Sequence, residues 1–457
     1  MTIAYPMPVL GEPELTAAEA VLADAGVRLV VGSVIDPAGV ARAKEVPVRR
    51  VRAFHVNGMG ASPSWNVFCI DNTVAFTPSL GVAGDLRLRA DLDAMRVVGD
   101  QLAWAPAEMF TQEGEPFPLC SRGLLRKTQS CLESQGLSAL VGCELEMVLT
   151  KADGSPLDGR PWNAYGVSAA LDVEAFLVDL IQACELVGLP VEQVHSEYGR
   201  GQYELSLAPT DPITAADNVV LTRLIVGRIS RRHGMAASFS PLPFADGSGN
   251  GAHQHLSLSR GGEPLFSGGQ GPYGLTEEGA SAVAGIVAGL PEMLGVLAGS
   301  VLSAHRLKPG FWSGAFACWG LENREAAVRF CAATRGNPYG ANVEVKCVDG
   351  SANPYLATTV ILGLALDGVS RRAQLPPEVP GNPAELTDVE LAQTGTVRLP
   401  DGQSAVLSAL AGSPLAGRLL GEDIRQALLA VRGHELNTYD NEDIAFLTER
   451  FRFAWSL

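Results

Sequence analysis

Apolar positions along the chain follow two rhythms. Spacing of three to four predicts helices over ELTAAEAVLADAG (14–26), LLRKTQSCLESQG (124–136), LDVEAFLVDLIQACELVG (171–188), ITAADNVVLTRLIVGRISRRHG (213–234) and ANPYLATTVILGLALDGVSRRA (352–373). Short apolar or alternating runs predict strands in VRLVVGSVID (27–36), VARAKEVPVRRV (40–51), VGCELEMVLT (141–150), VEQVHSE (191–197), QYELSLA (202–208), GAHQHLSL (251–258) and VEVKCVD (343–349). The Gly- and Ala-rich stretch from Ala282 to Ala304 is interrupted by Pro291 and Glu292, which predicts two buried helices rather than one membrane span. TQEGEPFPLCSRG, 111–123, is rich in turn formers and marks a boundary between a small mixed domain, 1–112, and a large one, 113–457. No repeat of fixed period is apparent.

Composition narrows the class. The balance of 34 basic against 50 acidic residues, a net charge of -16, argues against a nucleic-acid partner, which would need a basic face. Its eight cysteines include no Cys-x-x-Cys pair and sit mostly in apolar surroundings, as expected of reduced thiols in a cytoplasmic protein. The segment MTIAYPMPVLGEPEL has neither the basic start nor the apolar core of a signal peptide, so no export is expected.

Chemistry concentrates in the short strands. EYGRGQYE holds Glu197 and Glu204 on either side of a glycine turn, where two carboxylates repel unless a cation joins them. Glu144 and Glu146 are two apart, a spacing that puts both on one face of a strand, and His253, His255 and Ser257 repeat it. Glu344 and Lys346 follow the same period. A lone core histidine is usually just hydrogen-bonded, and a lone Glu-x-Glu usually lies on an exposed edge. Several strands converging with hard oxygen donors and one or two imidazoles point instead to magnesium or manganese. Zinc is the weaker choice, because neither finger-like Cys/His spacing nor His-Glu-x-x-His is present. Arg306, Arg324 and Arg329 offer rigid forks for carboxylate and phosphate oxygens. With divalent cations nearby, phosphoryl transfer is the natural reaction class. The glycines of DGSGNGAHQH lack the Gly-Lys-Ser/Thr ending of a phosphate loop and suit close backbone approach to a small ligand.

In order along the chain, DPAGVARAKEVP, GCELEM, EYGRGQYE, GSGNGAHQHLSL, RLKPG, ENREAAVR and EVKCVDGSANPYLA resemble the glutamine synthetase family, most of all members that join glutamate to amines. The resemblance implies an α+β protein, with an N-terminal β-grasp domain and a C-terminal catalytic domain of curved antiparallel sheet and flanking helices. It implies two divalent ions, one on Glu146, Glu197 and Glu204 and the other on Glu144, His253 and Glu344. ATP would be a substrate, with Arg324 and Arg329 on phosphates, Arg306, Lys346 and the Gly249 backbone on glutamate, and Ser257 near the nucleotide. A double-ring homododecamer with sites shared between neighbours is also implied.

Departures from the family pattern refine the expectation. Ammonia-using members carry an acid two places after the flap's Pro-Gly and an aspartate in an N-terminal loop. Here KPGFWSG puts Trp312 at the first position, and RAFHVNGMGASPSW contains no acid. Ser248 replaces a usual asparagine, and Lys346 a usual arginine, which keeps charge without the bidentate geometry. No tyrosine lies between Tyr355 and Tyr439, so control by adenylylation is not expected. The expected activity is an ATP-dependent ligase making γ-glutamylamides from glutamate and a polyamine or ethanolamine, with Trp312 in the amine pocket. The alternatives are ammonia-using glutamine synthesis and a catalytically weak paralogue that binds nucleotide or amines.

Overall fold

The structure is a computed structural model that describes residues 7–159 and 161–457. A six-stranded sheet comprises β1 (Leu29–Ile35), β2 (Ala41–Pro47), β3 (Met59–Ala61), β4 (Leu86–Ala90), β5 (Arg96–Gly99) and β6 (Leu102–Phe110). Its strands run in the order β2-β1-β6-β4-β3, with β5 also on β6. Only β1 and β6 pair in parallel. Alternating residues of these strands build a core of their own, in which Val30, Val34, Leu88 and Ala105 meet Leu15 and Leu22 of the helix Glu12–Asp24 and Phe54 of the helix Val51–Val56.

The second sheet has ten strands: β7 (Leu137–Lys151), β8 (Val191–Ser196), β9 (Gln202–Thr210), β10 (Met235–Ser238), β11 (Gln254–Arg260), β12 (Glu263–Pro264), β13 (Phe316–Leu321), β14 (Ala326–Cys331), β15 (Asn342–Val345) and β16 (Val397–Arg398). The main order is β16-β13-β14-β15-β11-β7-β9-β8. All its pairings are antiparallel except β13 with β14, a parallel pair that the antiparallel expectation did not include. Long buried helices cover the sheet. One of them, Pro354–Arg371, starts sharply because the Asn353 side chain accepts from the Tyr355 and Leu356 amides and Pro354 fills the first helical turn.

The apolar stretch after Ala282 departs from expectation. Glu277–Leu297 is one helix running through Pro291, followed by the short helix Ser303–Arg306. Proline removes one backbone hydrogen bond, but packing against Pro354–Arg371 and Gln403–Ala411 keeps this buried helix continuous. It is long and apolar enough to cross a membrane, yet most of its surface lies inside the protein.

A buried ionic knot ties the first sheet to helices of the larger part. Arg122, on the helix Ser121–Ser134, bonds Asp217 through both Nε (2.9 Å) and Nη2 (2.8 Å). Its Nη1 reaches Glu108 of β6 at 2.7 Å and Asp91, just after β4, at 2.9 Å. The Tyr355 hydroxyl donates to Asp217 at 2.8 Å, bringing a third helix into the same network.

Candidate active site

Strand register assembles the polar residues into two rows. In the first, β9 places Glu204 opposite His195 of β8 and Glu146 of β7. In the second, β11 places His255 opposite Glu344 of β15, which in turn faces Arg329 of β14. Glu144 shares the face of Glu146 two residues away, and its amide donates to the His253 carbonyl just before β11. Residues distant in sequence thus converge because the pleat period is two and the pairings are fixed.

The turn between β8 and β9 closes as its sequence suggests. Gly201 adopts φ of 71°, and a Cβ there would lie 2.9 Å from the Leu149 carbonyl oxygen, so only glycine fits without strain. Glu197, at the turn's start, is bonded by His195 Nε2 at 2.9 Å, and His195 lies 3.9 Å from Glu204 Oε1.

Three overlapping groups of ligand atoms each fall within 4.8 Å of one another: Glu144 with His253 and Glu344, Glu146 with Glu204 and His253, and His195 with Glu197 and Glu204. All six carboxylate and imidazole residues expected as ion ligands therefore lie together. His195 joins them unannounced, although its i, i+2 spacing to Glu197 was a readable signal. His253 Nδ1 sits between Glu344 Oε1, 3.3 Å away, and Glu144 Oε2, 3.4 Å away, while Nε2 lies 3.8 Å from Glu146 Oε1.

The electrostatics call for cations. Burial, together with the charges of Glu144, Glu146, Glu197 and Glu344, pushes the Glu204 carboxyl up to about 9. Burial opposes ionisation of Glu144 as well, but hydrogen bonds from His253 and His255 hold its carboxyl well below the usual range. At Glu344 burial is likewise outweighed, here by Lys346 and the two histidines, which bring it down to about 2. Oxygen and imidazole donors without a thiolate fit hard divalent cations, and a buried carboxylate crowded by four others is a group such a cation would satisfy.

Other predicted residues surround these groups. Arg306 is buried, with Nη2 3.2 Å from His253 Nε2 and 3.1 Å from the Lys346 carbonyl; its Nη1 is buried with no partner among the described residues. Gly249 lies directly on it, since a Cβ would come within 2.6 Å of Arg306 Cγ. Lys346 is also buried, and its Nζ bonds Glu344 at 2.9 Å rather than facing open space. Arg329 bonds Glu322 and reaches Glu344 at 3.3 Å, whereas Arg324 is exposed. Ser257 donates to the Ala341 carbonyl at 3.2 Å. Trp312 is 54% exposed on the flap, with φ of 52°.

Sequence reading missed two further residues. Gln202 is 2% exposed, and its Nε2 donates to Glu146 at 2.9 Å and to the Gly249 carbonyl at 2.8 Å, fixing that carboxylate from behind. Tyr165 stacks on His195 with ring centroids 6.2 Å apart. Burial and the neighbouring Glu197 push its hydroxyl up to about 12, so it stays a donor to that carboxylate. Tyr165 lies in no motif, and Gln202, although inside EYGRGQYE, has no local signal for these contacts.

The glutamine synthetase catalytic domain matches residues 118–449. A gamma-glutamylpolyamine synthetase of Streptomyces coelicolor is 37% identical over 97% of each chain. A glutamine synthetase of Clostridium saccharobutylicum is 29% identical, covering 78% of this chain and 82% of its own. Among solved structures, a glutamine synthase homolog superposes with a TM-score of 0.85 at 29% identity, covering 94% of this chain and 98% of its own. The chain belongs to the glutamine synthetase family.

Proposed function

We propose that the protein is a cytoplasmic ligase that joins the side-chain carboxylate of glutamate to a polyamine, with ATP converted to ADP and phosphate. A carboxylate resists amine attack because it is anionic and lacks a leaving group. Phosphorylation by ATP makes an acyl phosphate, which the amine then displaces. Divalent cations, magnesium or manganese, held by Glu144, His253 and Glu344 and by Glu146, Glu197 and Glu204, would supply charge neutralisation on the transferring phosphoryl group. Arg306, with its unpartnered Nη1, is placed to hold a carboxylate of glutamate. Arg329 and the exposed Arg324 would offer guanidinium forks to phosphate oxygens, and Ser257 would lie near the nucleotide. The small domain, 1–112, and the catalytic domain, 113–457, are read as separate units because one face of the first sheet has an apolar core of its own, although Ile35 and Trp104 of that sheet pack into the main core. A homododecamer with sites shared between neighbours is the assembly that the resemblance implies, and exposed Phe311 and Tyr198 offer apolar surface to another copy.

One observation carries the choice of amine. The flap presents Trp312 where ammonia-using members carry an acid, so ammonium entering there would lose hydration without gaining a counter-charge. An alkyl ammonium gains apolar area and the π face of the indole, worth about 0.5–2 kcal/mol. The similarity to a gamma-glutamylpolyamine synthetase over nearly the whole chain supports the same choice. The test is phosphate release with ATP, glutamate, a divalent ion and a panel of polyamines, ethanolamine and ammonium. Stimulation should be greatest with a polyamine; ammonium as best acceptor would sink the proposal. Trp312→Ala should raise the amine's KM about 2- to 30-fold and leave those of ATP and glutamate nearly unchanged. Trp312→Glu should gain some ammonium use, because a carboxylate there can hold ammonium and accept its proton. Equal effects on all three substrates would show that Trp312 only packs the flap.

A further inference from the structure

The flap, Lys308–Gly314, is strung between two residues of the site. It leaves Arg306, which contacts His253, and it ends at Gly314, where a Cβ would lie 2.9 Å from Cβ of Lys346, the residue bonded to Glu344. Within the flap, the Lys308 amide donates to Ser313 Oγ at 3.0 Å, and that hydroxyl returns a bond to the Lys308 carbonyl at 2.9 Å.

Beneath this turn lies Glu325, 7% exposed and on the far side of β13 in sequence. One carboxylate oxygen accepts from the Trp312 amide at 2.9 Å and the other from the Gly310 amide at 3.2 Å. No cation pairs with it among the described residues. Gly310 and Trp312 both have positive φ, 82° and 52°, and backbone of this kind turns amide groups into a concavity that receives an anion. A bulky side chain is unfavourable at positive φ, so the turn needs an external partner to persist. Glu325 is itself fixed, because its amide donates to Asn323 Oδ1 at 3.0 Å, and Asn323 is tied by its Nδ2 to the carbonyls of Val379 (2.7 Å) and Gly381 (2.8 Å).

We infer that Glu325 is the latch of the flap, a positioning residue that holds Trp312 over the amine side of the site and closes the acyl phosphate off from water. Both of its oxygens are turned to backbone amides behind the flap, so it holds the turn and does not stand in for the acid that the flap's own sequence lacks. With the latch loosened, water attacks the acyl carbon, the bond from that carbon to the phosphate oxygen breaks, and glutamate and phosphate leave without amine being consumed. This role rests on the ligase reading; the latch contact itself does not.

Hydrogen exchange read by mass spectrometry on the full-length protein without substrates tests the contact. Glu325→Ala should accelerate exchange of the Gly310 and Trp312 amides by about tenfold or more, the loss expected for a charge-assisted bond, with the rest of the chain unchanged. Glu325→Gln, which keeps one acceptor oxygen, should fall between. Unchanged exchange in 308–314, or acceleration spread over the whole chain, would overturn the latch. Kinetics then test the role. In Glu325→Ala, phosphate release without amine should rise and the amine's KM should increase about tenfold. The KM of ATP should stay within about twofold, and Glu325→Gln should restore part of the coupling. Parallel loss in all substrates, with no amine-independent release, would assign Glu325 to stability alone. A wild-type protein that releases no phosphate with any amine would instead defeat the ligase reading, and exchange would still decide the latch.

Discussion

Glu204→Ala is expected to abolish amine-stimulated phosphate release without weakening the fold. Glu204 belongs to two of the three ligand groups, so its removal damages both the Glu146 and the Glu197 side of the site. Loss of a mere supporting partner of a metal ligand costs about 10- to 100-fold, and loss of a ligand shared between groups should exceed that range. The expected effect on stability has the opposite sign. Burial and four neighbouring acids push this carboxyl up to about 9, so in the metal-free protein its charged form opposes folding. Calorimetry in chelator should therefore show a Tm equal to or above that of the wild type. Adding manganese should raise the wild-type Tm and leave the variant's nearly unmoved, because an ion that binds only the folded state stabilises it by mass action. Near-normal turnover in Glu204→Ala, or an undiminished metal-induced shift, would remove Glu204 from the ion site.

Much of this site could be read from sequence because the pleat is a simple rule. Glu144 and Glu146, or Glu197 and Glu204 around a glycine turn, announce shared faces and close approach within one local segment. What no local segment can announce is register. That Glu344 lies between His255 and Arg329 depends on β11, β15 and β14 pairing across some ninety residues of chain. Gln202 was hidden for the same reason, since nothing near it in sequence shows that its amide meets Glu146 and Gly249. Lys346 fits the strand period, yet its ammonium goes to the Glu344 carboxylate, which is itself buried. In the fold, the helix through Pro291 shows tertiary packing overriding a local breaker. The parallel pair β13 and β14 has no local signature either, because the chain between them is only a four-residue link.

Arg122→Ala should cost about 3–5 kcal/mol of stability, the range for removing one partner from a buried ionic network. The side chain is 3% exposed and is the only link common to Asp91, Glu108 and Asp217 among the described residues. Without it, three carboxylates remain near one another in a region from which water is largely excluded, although Arg126 still reaches Glu108. Arg122→Lys keeps the charge but cannot bond Asp217 through two nitrogens and Glu108 through a third, so it should recover only part of the loss. The damage should also reach the site. Asp217 lies in the helix Pro212–Arg232, whose cap Asp211 directly follows β9, the strand that carries Glu204. Urea denaturation of the wild type and both variants measures the first effect, and manganese affinity the second. The expected order of stability is wild type, lysine, alanine, with metal affinity falling in the same order but by less. A loss below about 1 kcal/mol in Arg122→Ala would mean that the three acids are hydrated or protonated when the arginine is gone, and that the first sheet is held to the larger part by apolar contact rather than by this knot.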